Sequence, residues 1–139
     1  MYYLKTSACF DSAHFLHGYN GKCSNIHGHH WIVEVKISSG KLQGSGEKRG
    51  MLVDFGDFKQ AVKEIAEGFD HTLIYEKNTL KPATVAALKE EGFSLVETHF
   101  RPTAENFAAY IFADLCKKGM PVSCVTVYES PENCAVYGE

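Results

Sequence analysis

The stretch GKCSNIHGHHW, Gly21 to Trp31, crowds Cys23, His27, His29 and His30 together and runs straight into the apolar segment WIVEVKIS. Imidazoles and thiolates hold transition metals and move protons near neutral pH. If a strand begins at His27, alternation puts His27 and His29 on the side of Trp31 and Val33, and His30 on the other. Two imidazoles on one face can converge on a single ion, and His14 supplies a third. It ends a first strand whose inward face carries Leu4, Ala8 and Phe10. Three histidines without a fourth protein ligand form the open arrangement of a catalytic zinc. The competing reading has His27 and His29 simply bonding to nearby backbone, but three strand histidines of matching parity favour the metal. Cys23 leaves two possibilities open. As a fourth ligand it closes the site and makes a small structural zinc module. As a reactive thiol beside the metal it does chemistry.

Three further places carry chemistry-bearing groups. Asp70 and His71 follow a helical segment in GFDHTLI, either as an acid/base pair or as a polar loop. Glu129 interrupts the apolar strand VTVYES, where a carboxylate is costly unless it is paired or binds something. Thr103 and Glu105 in PTAEN suit a helix cap. The spacing G-x5-H-x-H-x4-E, ending at Glu34, also matches a cupin-like metal signature. The helical stripes described next, and the lack of a second histidine-bearing half, count against a jelly roll.

These residues need a scaffold. YYLKTSACFDSAH and HHWIVEVKISS alternate as strands, and the glycine-rich GKLQGSGEKRG reads as a long hairpin tip. MLVDFGDFKQAVKEIAEGFD then returns as a short strand and becomes a helix, with Asp54 or Asp57 as cap and Phe58, Val62, Ile65 and Phe69 as its apolar stripe. KPATVAALKEEG makes a short extra helix. PTAENFAAYIFADLCKKG makes a longer one, capped by Thr103, stopped at Gly119, with Phe107, Ala108, Ile111, Phe112 and Leu115 inward. PVSCVTVYES and CAVYGE close the chain as two strands. The order points to an α+β domain spanning 1–139: a four-stranded antiparallel sheet with two main helices on one face.

The chain has 139 residues, 45% hydrophobic and 22% charged, which suits one globular domain and excludes disorder and collagen. Five cysteines without a C-x-x-C pair, and no apolar run long enough for a membrane span, point to a cytoplasmic protein. A net charge of −3 argues against a nucleic-acid partner, although Lys48 and Arg49 offer a local basic spot.

FDSAH, CSNIHGHHW, MLVDFGDFK, FDHTLI, PTAEN and VTVYES, in that order over nearly the whole chain, resemble the 6-pyruvoyltetrahydropterin synthase / 6-carboxytetrahydropterin synthase family. The short gap from Cys23 to His27 is similar to the 6-carboxytetrahydropterin branch that feeds 7-deazaguanine and queuosine synthesis. The hairpin 44–50 and the segment 80–99 are longer than in compact members. The resemblance implies a T-fold that assembles with other copies into a barrel, as a trimer or hexamer. It implies zinc on His14, His27 and His29, and Cys23 as base rather than ligand. Asp70 and His71 would assist proton transfer, from the same or a neighbouring subunit. Glu129 would anchor the pterin with help from Thr103. The implied substrate is 7,8-dihydroneopterin triphosphate, converted to 6-carboxytetrahydropterin with loss of triphosphate and acetaldehyde and no organic cofactor. The pyruvoyl branch shares these groups and stops before the side chain is cleaved.

Overall fold

In the computed structural model, which describes residues 1–139, the alternating segments form two long strands. They are β1, Tyr2–His14, and β2, His27–Ser39, paired antiparallel along their whole length with Phe10 opposite Trp31 and His14 opposite His27. Directly opposed residues share a face. Phe10, Ser12 and His14 therefore lie on the same side as His27, His29, Trp31, Val33, Val35 and Ile37. That side is the core: Trp31, Val35 and Ile37 are fully buried.

Two helices cover it. Helix α1, Phe55–Phe69, starts at Asp54, whose carboxylate accepts the Gly56 and Asp57 N–H groups, so Asp54 rather than Asp57 is the cap. Its expected stripe of Phe58, Val62, Ile65 and Phe69 is buried, joined by Ala66. After β3, Leu73–Glu76, α2, Pro82–Glu90, and β4, Leu95–Thr98, helix α3, Ala104–Lys117, buries Phe107, Ala108, Ile111 and Leu115. Phe112 is only half-buried, edge-on to Tyr137. Gly119 ends α3 at a φ of 83°, a left-handed conformation that costs glycine little. Strands β5, Val122–Tyr128, and β6, Cys134–Gly138, complete the chain.

The sheet has six strands in the order β4-β3-β1-β2-β5-β6, not the four the sequence pattern suggests. The four expected strands are contiguous and antiparallel. The additions, β3 and β4, are four residues each, parallel to one another and to the end of β1. Runs as short as LIYE and LVET carry too little alternation to be told from loop. They become strands because the end of β1 offers Ala13 and His14 as partners. Conversely, Met51–Val53 forms no strand and the 40–53 segment is a loop between β2 and α1, since β2 already pairs with β1 and β5.

Besides the outer edge of β4, two edges stay open. β3 meets β1 only at Ala13 and His14, so β1 has no neighbour on that side from Tyr2 to Cys9, and β6 has none beyond β5. Helix α2 buries no residue of its own. It lies over β3 and β4 on the face opposite α1 and α3: Ile74 belongs to the core, whereas Leu73 and Leu95 line a cavity with Leu88 of α2. No helix is long and apolar enough to cross a membrane.

Candidate metal centre and its surroundings

The last residue of β1 and the first of β2 face each other, which brings His14, His27 and His29 together with one ring nitrogen from each within 4.8 Å of the others. His30 is excluded by parity. Its Nδ1 lies 2.7 Å from Asp11 Oδ1 on the opposite face. Cys23 is not part of the histidine group; it sits half-buried in the short 3-10 turn Lys22–Ser24, whose position is held by the Leu16 N–H on the Cys23 carbonyl.

The hydrogen bonds fix which nitrogens carry protons. His14 Nδ1 donates to the Pro102 carbonyl and His27 Nδ1 to the Asn25 carbonyl, both at 2.7 Å. A carbonyl can only accept, so in the neutral rings each Nε2 carries a lone pair. Those two Nε2 atoms stand 3.1 Å apart, an unfavourable opposition that a cation between them relieves. His29 Nε2 is buried without a hydrogen-bond partner, which is costly unless something is bound there. Burial, reinforced by the two neighbouring imidazoles, pushes His14 down to about 4, although its bond to Pro102 opposes this. Burial also lowers His29, against the pull of Glu129. Neutral imidazoles with oriented Nδ1–H groups are what a borderline-soft divalent ion such as zinc requires. The donor set fits the metal.

Trp31 forms the floor, its ring edge-on to His14 and His29 at 5.0 and 5.2 Å between centroids. Glu129 falls one residue past β5 rather than inside a strand, its N–H donating to the Asn133 carbonyl. It is not free of partners either: continuing the inward row of Val125 and Val127, its carboxylate reaches to 3.6 Å from His29 Nε2. Thr103 caps α3, its hydroxyl accepting the Asn106 N–H; Glu105 takes no part in the cap.

Asp70 and His71 do form a pair, Nδ1 to Oδ2 at 2.9 Å. Asp70 is the C-cap of α1, and its other oxygen accepts the Asp11 N–H, while the His71 N–H donates to the Asp11 carbonyl. This clasp holds His71 at a left-handed φ of 56°. His71 lines a cavity with Asp11 and His30, whose side chains leave the strands on the face opposite His14 and His27, although the His29 position borders that cavity too; within one chain the His71 ring is thus on the other side of the sheet from the histidine trio. The Asp11 clasp and the Pro102 and Asn25 carbonyls are absent from the sequence reading. The first has a signal in its parity with His30; backbone carbonyls have none.

The Asp70 carboxylate raises His71 above its ordinary 6.5 by hydrogen bond and charge, and Asp70 is lowered, first by the Asp11 N–H and then by His71. Asp70→Asn removes the charge that favours the imidazolium. The His71 titration midpoint, followed by NMR, is expected to move down toward the ordinary value, shrinking the protonated fraction near neutrality. An unchanged midpoint would show that the pair does not set this residue's charge.

The family model described as 6-pyruvoyl tetrahydropterin synthase matches residues 3–139. A 6-carboxy-5,6,7,8-tetrahydropterin synthase of Haemophilus influenzae is 35% identical, covering 100% of both chains. One from Rickettsia felis is 33% identical, over 91% of this chain and 92% of the relative. Among solved structures, an uncharacterized protein from Wolinella succinogenes superposes with a TM-score of 0.81 at 21% identity, covering 99% and 98% of the two chains. A 6-pyruvoyltetrahydropterin synthase of Plasmodium vivax does so with a TM-score of 0.70 at 19% identity, covering 99% and 97% of the two chains.

Proposed function

Because the chain belongs to the 6-pyruvoyl tetrahydropterin synthase family, we propose that it converts 7,8-dihydroneopterin triphosphate to 6-carboxytetrahydropterin, releasing triphosphate and acetaldehyde. It is an enzyme, a 6-carboxytetrahydropterin synthase-like lyase. The observation that carries the site is the set of three inward imidazoles, two with their Nδ1 protons committed to backbone carbonyls. His14, His27 and His29 would hold zinc, which when bound draws charge from the substrate's side-chain hydroxyls and acidifies the adjacent carbon–hydrogen bond.

The chain's own groups do the rest. Cys23, on the turn that leads into His27, takes that proton as a thiolate. Its thiol makes no hydrogen bond to the Asp70–His71 pair, which sits across the sheet. That separation supports a composite site in which the dyad of a neighbouring copy returns the proton. The open edges of β1 and β6 favour such an assembly, since unpaired strand edges are satisfied by another strand. Loss of triphosphate and tautomerisation, followed by carbon–carbon cleavage that consumes one water and releases acetaldehyde from the new carboxyl carbon, then complete the sequence without an added oxidant or reductant.

Purified protein supplied with zinc and dihydroneopterin triphosphate is expected to yield acetaldehyde and 6-carboxytetrahydropterin together. A pyruvoyl product without acetaldehyde would move the chain to the other branch of the family.

Glu129 would accept the pterin's N–H groups through both oxygens, a role supported by its position beside His29 and its one-third exposure. Glu129→Gln keeps the volume but turns a donor toward those donors. With charge-assisted bonds of about 1.5–3 kcal/mol, affinity for biopterin or sepiapterin should fall roughly ten- to a hundredfold while bound zinc is kept. Titration of both proteins, with metal measured alongside, checks this; equal affinity would remove Glu129 from the site.

A further inference from the structure

Three buried side-chain polar atoms of the chain have no hydrogen-bond partner: Ser12 Oγ, His29 Nε2 and Trp31 Nε1. They belong to neighbouring residues. Ser12 stands directly opposite His29 across the β1/β2 pair, and Trp31 is the next inward residue after His29. An unpaired polar atom in a protein interior is costly, and most such atoms find partners. All three exceptions in this chain fall on one patch of the inward face, at the floor of the metal centre.

His29 Nε2 is accounted for by the metal it would bind. Ser12 is not. Its side chain, only 7% exposed, lies in the inward row between Phe10 and His14, where an alanine would fill the space without a hydroxyl to satisfy. His29 also lacks something that the other two ligands have. The Nδ1 proton of His14 is held by the Pro102 carbonyl and that of His27 by the Asn25 carbonyl, but no backbone carbonyl plays that part for His29. A metal-ligating histidine almost always donates its second N–H, because that bond fixes the ring's tautomer and orientation. Directly opposed side chains have Cβ atoms about 4.5–5.5 Å apart. One staggered rotation about the Ser12 Cα–Cβ bond therefore brings Oγ within reach of His29 Nδ1, the ring nitrogen close to its own Cβ. A hydroxyl oxygen has two lone pairs, so it can also receive Trp31 Nε1, which only donates.

We propose that Ser12 is the positioning residue of the third ligand: with the metal on Nε2, its hydroxyl accepts the His29 Nδ1 proton and aims that ring at the ion. The inference rests on the three-histidine metal reading above and adds a residue to it. The buried hydroxyl destabilises the metal-free fold and strengthens the metal-bound one.

Ser12→Ala separates these two effects, because they have opposite signs. Zinc affinity, measured by chelator competition on the full chain, is expected to fall roughly ten- to a hundredfold. The metal-free variant should unfold at the same denaturant concentration as the unmodified chain or at a higher one. In the zinc-loaded protein the His29 Nδ1 proton should give a slowly exchanging imidazole NMR signal that is lost in Ser12→Ala, while those of His14 and His27 are retained. Equal zinc affinity in Ser12→Ala, or a His29 Nδ1 signal that survives the substitution, overturns the proposal. A metal-free variant less stable than the unmodified chain also overturns it and makes Ser12 a packing residue. An unmodified chain that binds no zinc removes the metal reading itself, and this inference with it.

Discussion

His14→Ala, His27→Ala and His29→Ala are each expected to purify with little zinc, whereas His30→Ala keeps about one ion per chain. The three inward histidines share a site; His30 bonds Asp11 on the far face. Removing a residue that merely orients a ligand weakens metal binding about 10- to 100-fold, and losing the ligand should exceed that. Stripping the metal has a pH signature as well. His14 is held down to about 4 in the folded chain against an ordinary 6.5, so the unfolded state takes up the proton first as pH falls. The metal-free protein should therefore lose stability on acidification from about 6.5 toward 4, with no such cost from this residue above 6.5. Metal analysis of the four variants and denaturant titrations across that range are the measurements. Equal zinc loss in His30→Ala would put the ligand set on the wrong face.

Cys23→Ala is expected to keep its zinc and lose nearly all turnover. The thiol lies outside the histidine group, so its removal leaves the ligands intact while deleting the proposed base. General-base catalysis is worth typically 10²- to 10⁴-fold, and kcat should fall by about that much. Metal content and single-turnover kinetics, measured on the same preparation, separate the two effects. A metal-free variant would instead make Cys23 the fourth ligand of a structural site, and normal activity would take it out of the chemistry.

Much of this was written in local pattern. The period of two in FDSAH and HGHHWIVEV is enough to sort His14, His27 and His29 from His30, because side chains in a strand alternate strictly and one face must be apolar. The stripes of α1 and α3 announce two helices with one buried side each for the same reason, at a period near 3.6. Tertiary structure decided what has no period. Strands β3 and β4 exist because the end of β1 offers a partner, not because LIYE or LVET prefers to be extended. Glu129 meets His29 only because β5 lies beside β2, and the proton position on His14 depends on the Pro102 carbonyl from 88 residues away, whereas that on His27 is set locally by Asn25. The Asp70–His71 pair was visible as two adjacent letters, but its place across the sheet from the histidines came from the Asp11 clasp. Sequence determines which side chains share a face, since that is set by backbone geometry one residue at a time. Which faces meet is decided by long-range strand pairing, where the partner's position is no property of the segment itself.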